Sequence, residues 1–99
     1  MIDVVIQKSH NPKKKYDAII NGSKTISFGA TGYSDYTLNK DPQRKNNYIN
    51  RHSGEDWTKS NMASAAWMSR FLLWEEPTLK EAIQNVNSKY KDVHFHYKN

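Results

Sequence analysis

The segment of residues 62–74 is apolar on nearly every side of a helix, and it constrains the fold more than any other part of the chain. One helical face carries Ala63, Ala66, Trp67, Arg70, Phe71 and Trp74, and another carries Met62, Ala65, Ser69, Leu72 and Leu73. A helix that is apolar all round must be covered on several sides. We therefore predict a central helix over residues 62–74, capped by Ser60 or Asn61, within one domain spanning residues 1–99.

Four short segments have the residue pattern of β-strands, and they are residues 2–8, 16–20, 24–28 and 93–97. The first is β-branched and too short for a helix. The second and third flank Asn21-Gly22-Ser23, and Asn-Gly between strand-like segments predicts a hairpin because both residues tolerate positive φ. In the last, apolar residues alternate with His94 and His96, which indicates a half-buried strand.

Two more helices are predicted from their first residues. Asp41-Pro42 begins one that runs to about His52, since Asp is a good N-cap and Pro suits the first helical position. Thr78 and Glu81 have the spacing of a capping box and begin another that ends near residue 90. Residues 29–40 are predicted to form an ordered loop.

The resulting order, β-β-β-α-α-α-β, favours an α+β fold. We expect a small, mostly antiparallel sheet of three or four strands, covered on one face by three helices.

The composition excludes several classes of protein. The chain has no cysteine, which removes disulfides, thiolate metal sites and a cysteine nucleophile. No apolar segment approaches the roughly 20 residues needed to span a bilayer, so no membrane partner is expected. At the N-terminus the apolar residues precede the positive charges, the reverse of a signal peptide, so we predict an intracellular rather than a secreted protein.

The net charge of +5 is concentrated in the first half of the chain. Residues 8–51 contain nine Lys and Arg against three Asp, whereas residues 52–99 contain six of each sign. A positive field of this kind attracts the phosphates of nucleic acids. The alternative is that surface lysines only keep a small protein soluble.

A basic and aromatic segment over residues 29–52 is the first candidate site. Arg44, Tyr48, Arg51 and His52 have spacings that can place them on one helical face. Arg and Lys would neutralise phosphates, and Tyr could stack on a base. The predicted contacts to nucleic acid are Lys13, Lys14, Lys15, Lys40, Arg44, Lys45, Tyr48, Arg51 and His52. The alternative is a solvated helix with Tyr48 turned inward.

Acid and base residues suggest a second, catalytic interpretation. Asp35, His52 and Glu55 could form a small metal-dependent nuclease site if they converge. Their spacing completes no metal motif, the HExxH pattern is absent, and Asp41 is better explained as a helix cap. We therefore favour a non-enzymatic function and assign no catalytic residue, metal ligand or cofactor.

His94 and His96 are a third candidate. Two residues apart on a strand, their side chains face the same way and could hold a metal ion together. The sequence indicates no third ligand, and histidines that simply face solvent are the more common case.

A buried polar network is expected around Arg70, because an arginine within so apolar a helix needs a partner. Asp35, Glu55 or Asp56 could supply the carboxylate. The residues predicted to form this network are Tyr33, Asp35, Tyr36, Glu55, Trp57 and Arg70.

A long pattern within residues 15–85 resembles a known family. It comprises SFGATGYSDYT from Ser27, KDPQRK from Lys40, Tyr48-Ile49, Arg51-His52, Glu55-Asp56-Trp57, FLLW from Phe71 and Pro77-Thr78-Leu79. These motifs are similar to those of a family of small proteins encoded by large DNA viruses and some phages. Where that family often has His before Lys-Asp, this chain has Asn39.

The resemblance implies a viral origin and supplies no reaction. Together with the charge, it leads us to expect a viral accessory protein that binds nucleic acid, in the infected cell or within the virion. The alternative is a structural or virion protein that binds a viral or host protein. The nucleic acid could be DNA or RNA, and the sequence leaves the oligomeric state open.

Overall fold

The structure, a computed structural model, describes residues 1–98. Its strands are β1 (Ile2–Lys8), β2 (Lys14–Ile20), β3 (Lys24–Ala30) and β4 (Val93–Tyr97). Its helices are α1 (Tyr36–Asn39), α2 (Pro42–Arg51), α3 (Ala65–Leu73) and α4 (Leu79–Lys89), with a 3₁₀ turn at Lys59–Asn61. The α+β class and the predicted order of elements are confirmed. The short helix α1 lies where a loop was predicted.

The four strands form one sheet in the order β3-β2-β1-β4. The pairs β1–β2 and β2–β3 are antiparallel, whereas β1–β4 is parallel, with Asp3 opposite His94. The sheet is therefore mixed, and mostly antiparallel as predicted. At the β2–β3 turn, Asn21 and Gly22 have φ of 51° and 71°, the positive values that the hairpin prediction required.

The core lies between the sheet and the helices α3 and α4. Trp67, Met68 and Leu72 of α3 are fully buried among the side chains of the sheet and of α4. Burying a side chain of this kind contributes about 1.5–3 kcal/mol. Alternation along the strands leaves the other face of the sheet open, where Asp3, His94 and His96 lie.

The N-terminus of α3 differs from the prediction. Ser64, rather than Ser60 or Asn61, is the N-cap, and its Oγ accepts a hydrogen bond from Trp67 N at 3.2 Å. The physical reason is that the 3₁₀ turn takes up Ser60 and Asn61, so the extended backbone at Ser64 is the first able to cap.

The predicted caps of the other two helices are confirmed. Asp41 Oδ1 accepts from Gln43 N at 3.0 Å, and Thr78 Oγ1 accepts from Glu81 N at 3.1 Å. Of the helices within residues 1–98, none has the length and apolar character needed to cross a membrane.

Candidate functional site

A polar cleft of about 390 Å³ lies between the segment that follows β3 and helix α2, beside the end of α3. Its walls include Lys15, Tyr33, Asp35, Arg44, Asn47, Tyr48, Arg51 and Trp74. We call it the basic cleft. It brings together four of the predicted nucleic-acid contacts, namely Lys15, Arg44, Tyr48 and Arg51.

Helix α2 forms one wall of the basic cleft. Its first turn is fixed by the Asp41 cap and by Pro42. Arg44, Asn47 and Arg51 follow at spacings of three and four residues, which places them on one helical face. The predicted shared face of Arg44 and Arg51 is therefore present in the structure.

The opposite wall is held by a buried ion pair. Lys15 Nζ donates to Asp35 Oδ2 at 2.5 Å and to the Tyr33 carbonyl oxygen at 2.6 Å. Asp35 is 2% exposed and also accepts from Thr37 N at 2.9 Å, which caps α1. Lys15 thus connects β2 to the loop after β3, and its charge is already balanced by Asp35.

Gly29 allows α3 to approach this wall. Its φ is +75°, and a Cβ atom added there would lie 2.8 Å from Leu73 Cδ1 and 3.3 Å from Lys15 Cβ. Only glycine combines this backbone conformation with that contact.

The charge of the basic cleft is set by its two arginines. Within residues 1–98, Arg44 and Arg51 form no ion pair, and Asp35 is the one carboxylate in the cleft wall. Since Asp35 is occupied by Lys15, two guanidinium charges remain uncompensated. An anion is therefore the ligand that this cleft favours.

Further lysines lie next to the basic cleft. Lys8 and Lys14 line a second recess that shares Lys15 with it, so the two recesses are neighbours. Thr31 N donates to the Lys13 carbonyl oxygen at 3.0 Å, which holds the turn before β2 beside the loop after β3. Lys13 and Lys14 therefore extend the positive surface of the basic cleft.

This turn is anchored by Asp17, a residue that the sequence analysis did not single out. Asp17 is 1% exposed and accepts hydrogen bonds from Ser9 Oγ and Ser27 Oγ, both at 2.7 Å. His10 Nδ1 lies 2.5 Å from the same carboxylate. Burial raises the pKa of Asp17, but the hydrogen bonds from Ser9, His10 and Ser27 outweigh burial and hold the pKa well below its ordinary value.

Five predicted contacts do not line the basic cleft: Lys13 and Lys14 lie next to it, and Lys40, Lys45 and His52 are engaged elsewhere. Lys45 Nζ donates to the Glu75 carbonyl oxygen at 2.7 Å and lies 5.2 Å from the centre of the Tyr36 ring, so it ties α2 to the end of α3. Lys40 Nζ donates to the Thr37 carbonyl oxygen at 2.9 Å. His52 is the C-cap residue of α2, and its Nδ1 atom is hydrogen-bonded to Glu55 Oε2.

Tyr48 lines the cleft, but its ring is engaged on the protein side. It stacks on Trp74 at 4.5 Å with an interplanar angle of 7°, and the His52 ring lies 4.4 Å away. Burial raises the pKa of Tyr48, and the neighbouring Glu55 adds to the effect. The aromatic ring left free at the cleft is that of Tyr33, which is 74% exposed.

The predicted polar network is divided into separate contacts, and the predicted partner of Arg70 is wrong. Arg70 pairs with Glu75, and not with Asp35, Glu55 or Asp56. The reason is that α3 ends at Leu73, so the chain turns and brings Glu75 back to Arg70. The Arg70 guanidinium also lies 5.9 Å from the Trp57 ring.

The other predicted members have partners of their own, and Asp35 lies with Lys15 rather than with Arg70. Tyr36 packs under Lys45, and the Tyr33 side chain faces solvent. Glu55 bonds His52 at 2.8 Å. Asp35, Tyr36 and Glu55 therefore hold the loop and α2 through local contacts and do not form one continuous network.

The set proposed for a nuclease is not gathered into a metal site. Asp35 is paired with Lys15, whereas His52 and Glu55 pair with each other. In the part of the chain that the structure describes, one cluster has metal-ligand spacing, and it consists of Asp3, His94 and His96. Sequence reasoning found the two histidines but not Asp3. It also missed Asn47, whose helical spacing from Arg44 was available as a signal.

Fold and site together define a small α+β domain with a basic cleft. Residues 4–52 match the model of DUF5754, a family of unknown function. The matched segment runs from β1 through α2 and contains Lys15, Asp35, Arg44 and Arg51. It stops before Glu55-Asp56-Trp57 and α3, so the longer motif pattern and the viral source stay predictions. No curated protein and no solved structure matches the chain significantly.

Proposed function

We propose that this protein binds nucleic acid through the basic cleft, with Arg44 and Arg51 contacting backbone phosphates. The observation that carries the proposal is the pair of guanidinium groups that share one cleft and have no carboxylate partner within residues 1–98. Guanidinium groups bind phosphate oxygens in a bidentate way and stay charged at every physiological pH.

The shape and surroundings of the cleft also support this ligand. A volume of about 390 Å³ lies within the range of small-ligand sites and suits one nucleotide unit of a longer strand. Tyr33 offers an exposed ring on which a base can stack. Lys13 and Lys14, on the adjoining surface, would contact phosphates further along the strand.

Single-stranded nucleic acid fits these features best, because stacking on Tyr33 requires an unpaired base. Labelled single-stranded and double-stranded DNA and RNA should be titrated at two salt concentrations. We expect affinity to fall steeply as salt is added, since each neutralised phosphate releases counterions. Replacement of Arg44 and Arg51 by Gln should weaken binding at least tenfold and reduce the salt slope by about 1 for each phosphate that is no longer neutralised.

The matched control is Lys24→Gln. Lys24 is an exposed cation at the turn end of the β2–β3 hairpin, opposite the end that carries Lys14 and Lys15. This variant should bind nearly as well as the unaltered protein. Absence of binding at low salt, or an equal loss of affinity in the control and the cleft variant, would contradict the proposal.

A second candidate function, binding of another protein, is favoured by exposed apolar side chains. Leu38 is 64% exposed on α1, and the exposed Tyr33 lies in the loop just before that helix. This alternative predicts a stable oligomer or complex in light scattering, sensitive to Leu38→Ser, with little salt-dependent affinity for nucleic acid.

The nucleic-acid-binding proposal includes the source that the resemblance implies. The protein would then be a viral accessory protein that acts in the infected cell or within the virion.

A further inference from the structure

A cluster of one carboxylate and two imidazoles lies on the open face of the sheet, away from the basic cleft. Asp3 is opposite His94 in the parallel β1–β4 pair, and His96 follows two residues later on the same face. Val93 and Phe95, which alternate with the histidines, are buried in the core. The backbone therefore fixes where all three polar side chains begin, although Asp3 is about ninety residues from the histidines along the chain.

The separations within the cluster suit metal ligands. His94 Nδ1 lies 3.4 Å from Asp3 Oδ1, and His96 Nε2 lies 3.3 Å from the same oxygen. Ligand atoms of all three residues lie within 4.8 Å of one another. Tetrahedral bonds of about 2.0–2.2 Å place neighbouring ligand atoms about 3.4 Å apart. The two distances from the histidine nitrogens to Asp3 Oδ1 exceed the usual 2.7–3.2 Å of an N–H···O hydrogen bond.

We propose that Asp3, His94 and His96 bind Zn²⁺, each through one side-chain atom. Two imidazole nitrogens and a carboxylate oxygen form a ligand set that zinc accepts, and the coordination position that remains is open to water or to an added ligand. All three side chains are partly exposed, so the ion can enter from solvent without rearrangement of the core.

The ligand chemistry selects the class of ion. Imidazole suits zinc and related transition metals, whereas Mg²⁺ prefers oxygen ligands in an octahedron. Because the ligands come from the neighbouring strands β1 and β4, binding should stabilise the pairing of these strands and hence the folded protein.

The test is thermal unfolding of the full chain without a histidine tag, after chelator treatment, with ZnCl₂ or MgCl₂ added. We expect ZnCl₂ to raise the unfolding temperature, EDTA to reverse the rise, and MgCl₂ to have no effect. Calorimetric titration should show one zinc per chain. Co²⁺ should give the visible absorption of a site with imidazole ligands.

Substitutions test whether zinc binds at Asp3, His94 and His96. His94→Ala with His96→Ala should abolish the zinc effect, and Asp3→Asn should weaken zinc binding at least tenfold, because the carboxylate ligand is removed. His10→Ala is the control, because His10 is also an exposed histidine, 72% accessible, and lies outside the cluster. Far-UV circular dichroism checks that each variant is folded. No zinc binding by the unaltered protein, or undiminished binding by the double variant, would overturn the proposal.

Discussion

At the scale of single residues, Asp17 shows how a carboxylate is kept away from solvent on the face of the sheet opposite the core, next to the turn that precedes β2. A buried carboxylate is costly unless hydrogen bonds satisfy it. Here the donors come from Ser9, His10 and Ser27, which lie before β2 and on β3. Nothing in the local pattern of β2 indicated this, because Asp17 stands between Tyr16 and Ala18 in an otherwise strand-like segment.

Asp17 should make stability depend on pH in the acid range. Its pKa in the folded protein lies below the ordinary value of 3.8, so its contribution is fully present above about pH 4 and is lost as the pH falls below that value. Asp17→Asn should lower the free energy of unfolding at pH 7 by about 1–3 kcal/mol and flatten its decline below pH 4. Urea unfolding at pH 7, 4 and 3 measures both effects. An unchanged acid slope in the variant would contradict the role given to Asp17.

Gly29 provides a second prediction at this scale. Gly29→Ala should destabilise the protein by about 2–4 kcal/mol, from the positive φ and from the close approach to Leu73. Gly32→Ala is the control, because Gly32 has φ of +86° with nothing within 4 Å of an added Cβ. Urea unfolding should give a smaller loss of stability for the control. Equal losses would show that the approach to Leu73 has no cost.

At the scale of elements, short sequence motifs predicted the features that depend on a few neighbouring residues, namely the hairpin turn and two helix caps. Asn21-Gly22, Asp41-Pro42 and the Thr78 capping box each act within a few residues, and each prediction is confirmed. The start of α3 was misplaced because Ser60, Asn61 and Ser64 are all plausible caps, and the preceding 3₁₀ turn decides among them. The parallel pairing of β4 with β1 depends on interactions across the whole chain and could not be predicted from either strand alone.

The cap of α2 should affect both stability and binding. Asp41→Ala removes the acceptor for Gln43 N and should cost about 0.5–2 kcal/mol of stability. Because α2 carries Arg44 and Arg51, we also expect weaker nucleic-acid binding. Thr78→Ala removes the equivalent cap of α4, away from the basic cleft, and should cost a similar amount without changing binding. Calorimetry and the titrations above compare the two variants, and equal effects on binding would contradict the role of α2.

At the scale of the whole molecule, the sequence predicted the positive charge of the candidate site better than it predicted which residues form the site. Arg44 and Arg51 were predicted to share a face because helical spacing alone decides it. Lys45 was assigned to the same surface, but its ammonium group is held by the carbonyl oxygen of Glu75, 30 residues further along the chain. Such long-range partners have no local sequence signal, and for the same reason the sequence did not pair Asp3 with the histidines of β4.

The parallel pair of β1 and β4 has a consequence for how the chain is made. β1 is synthesised before the other three strands but lies inside the sheet, and one of its two neighbours is β4, the last of the four strands to be synthesised. Until then, one edge of β1 has no hydrogen-bonding partner strand, and residues that close the core, such as Phe95, are still missing. Pairing across so long a stretch of chain is slow compared with the formation of a hairpin. Until β4 has been synthesised, the incomplete sheet therefore presents an unpaired strand edge, at which another chain can pair.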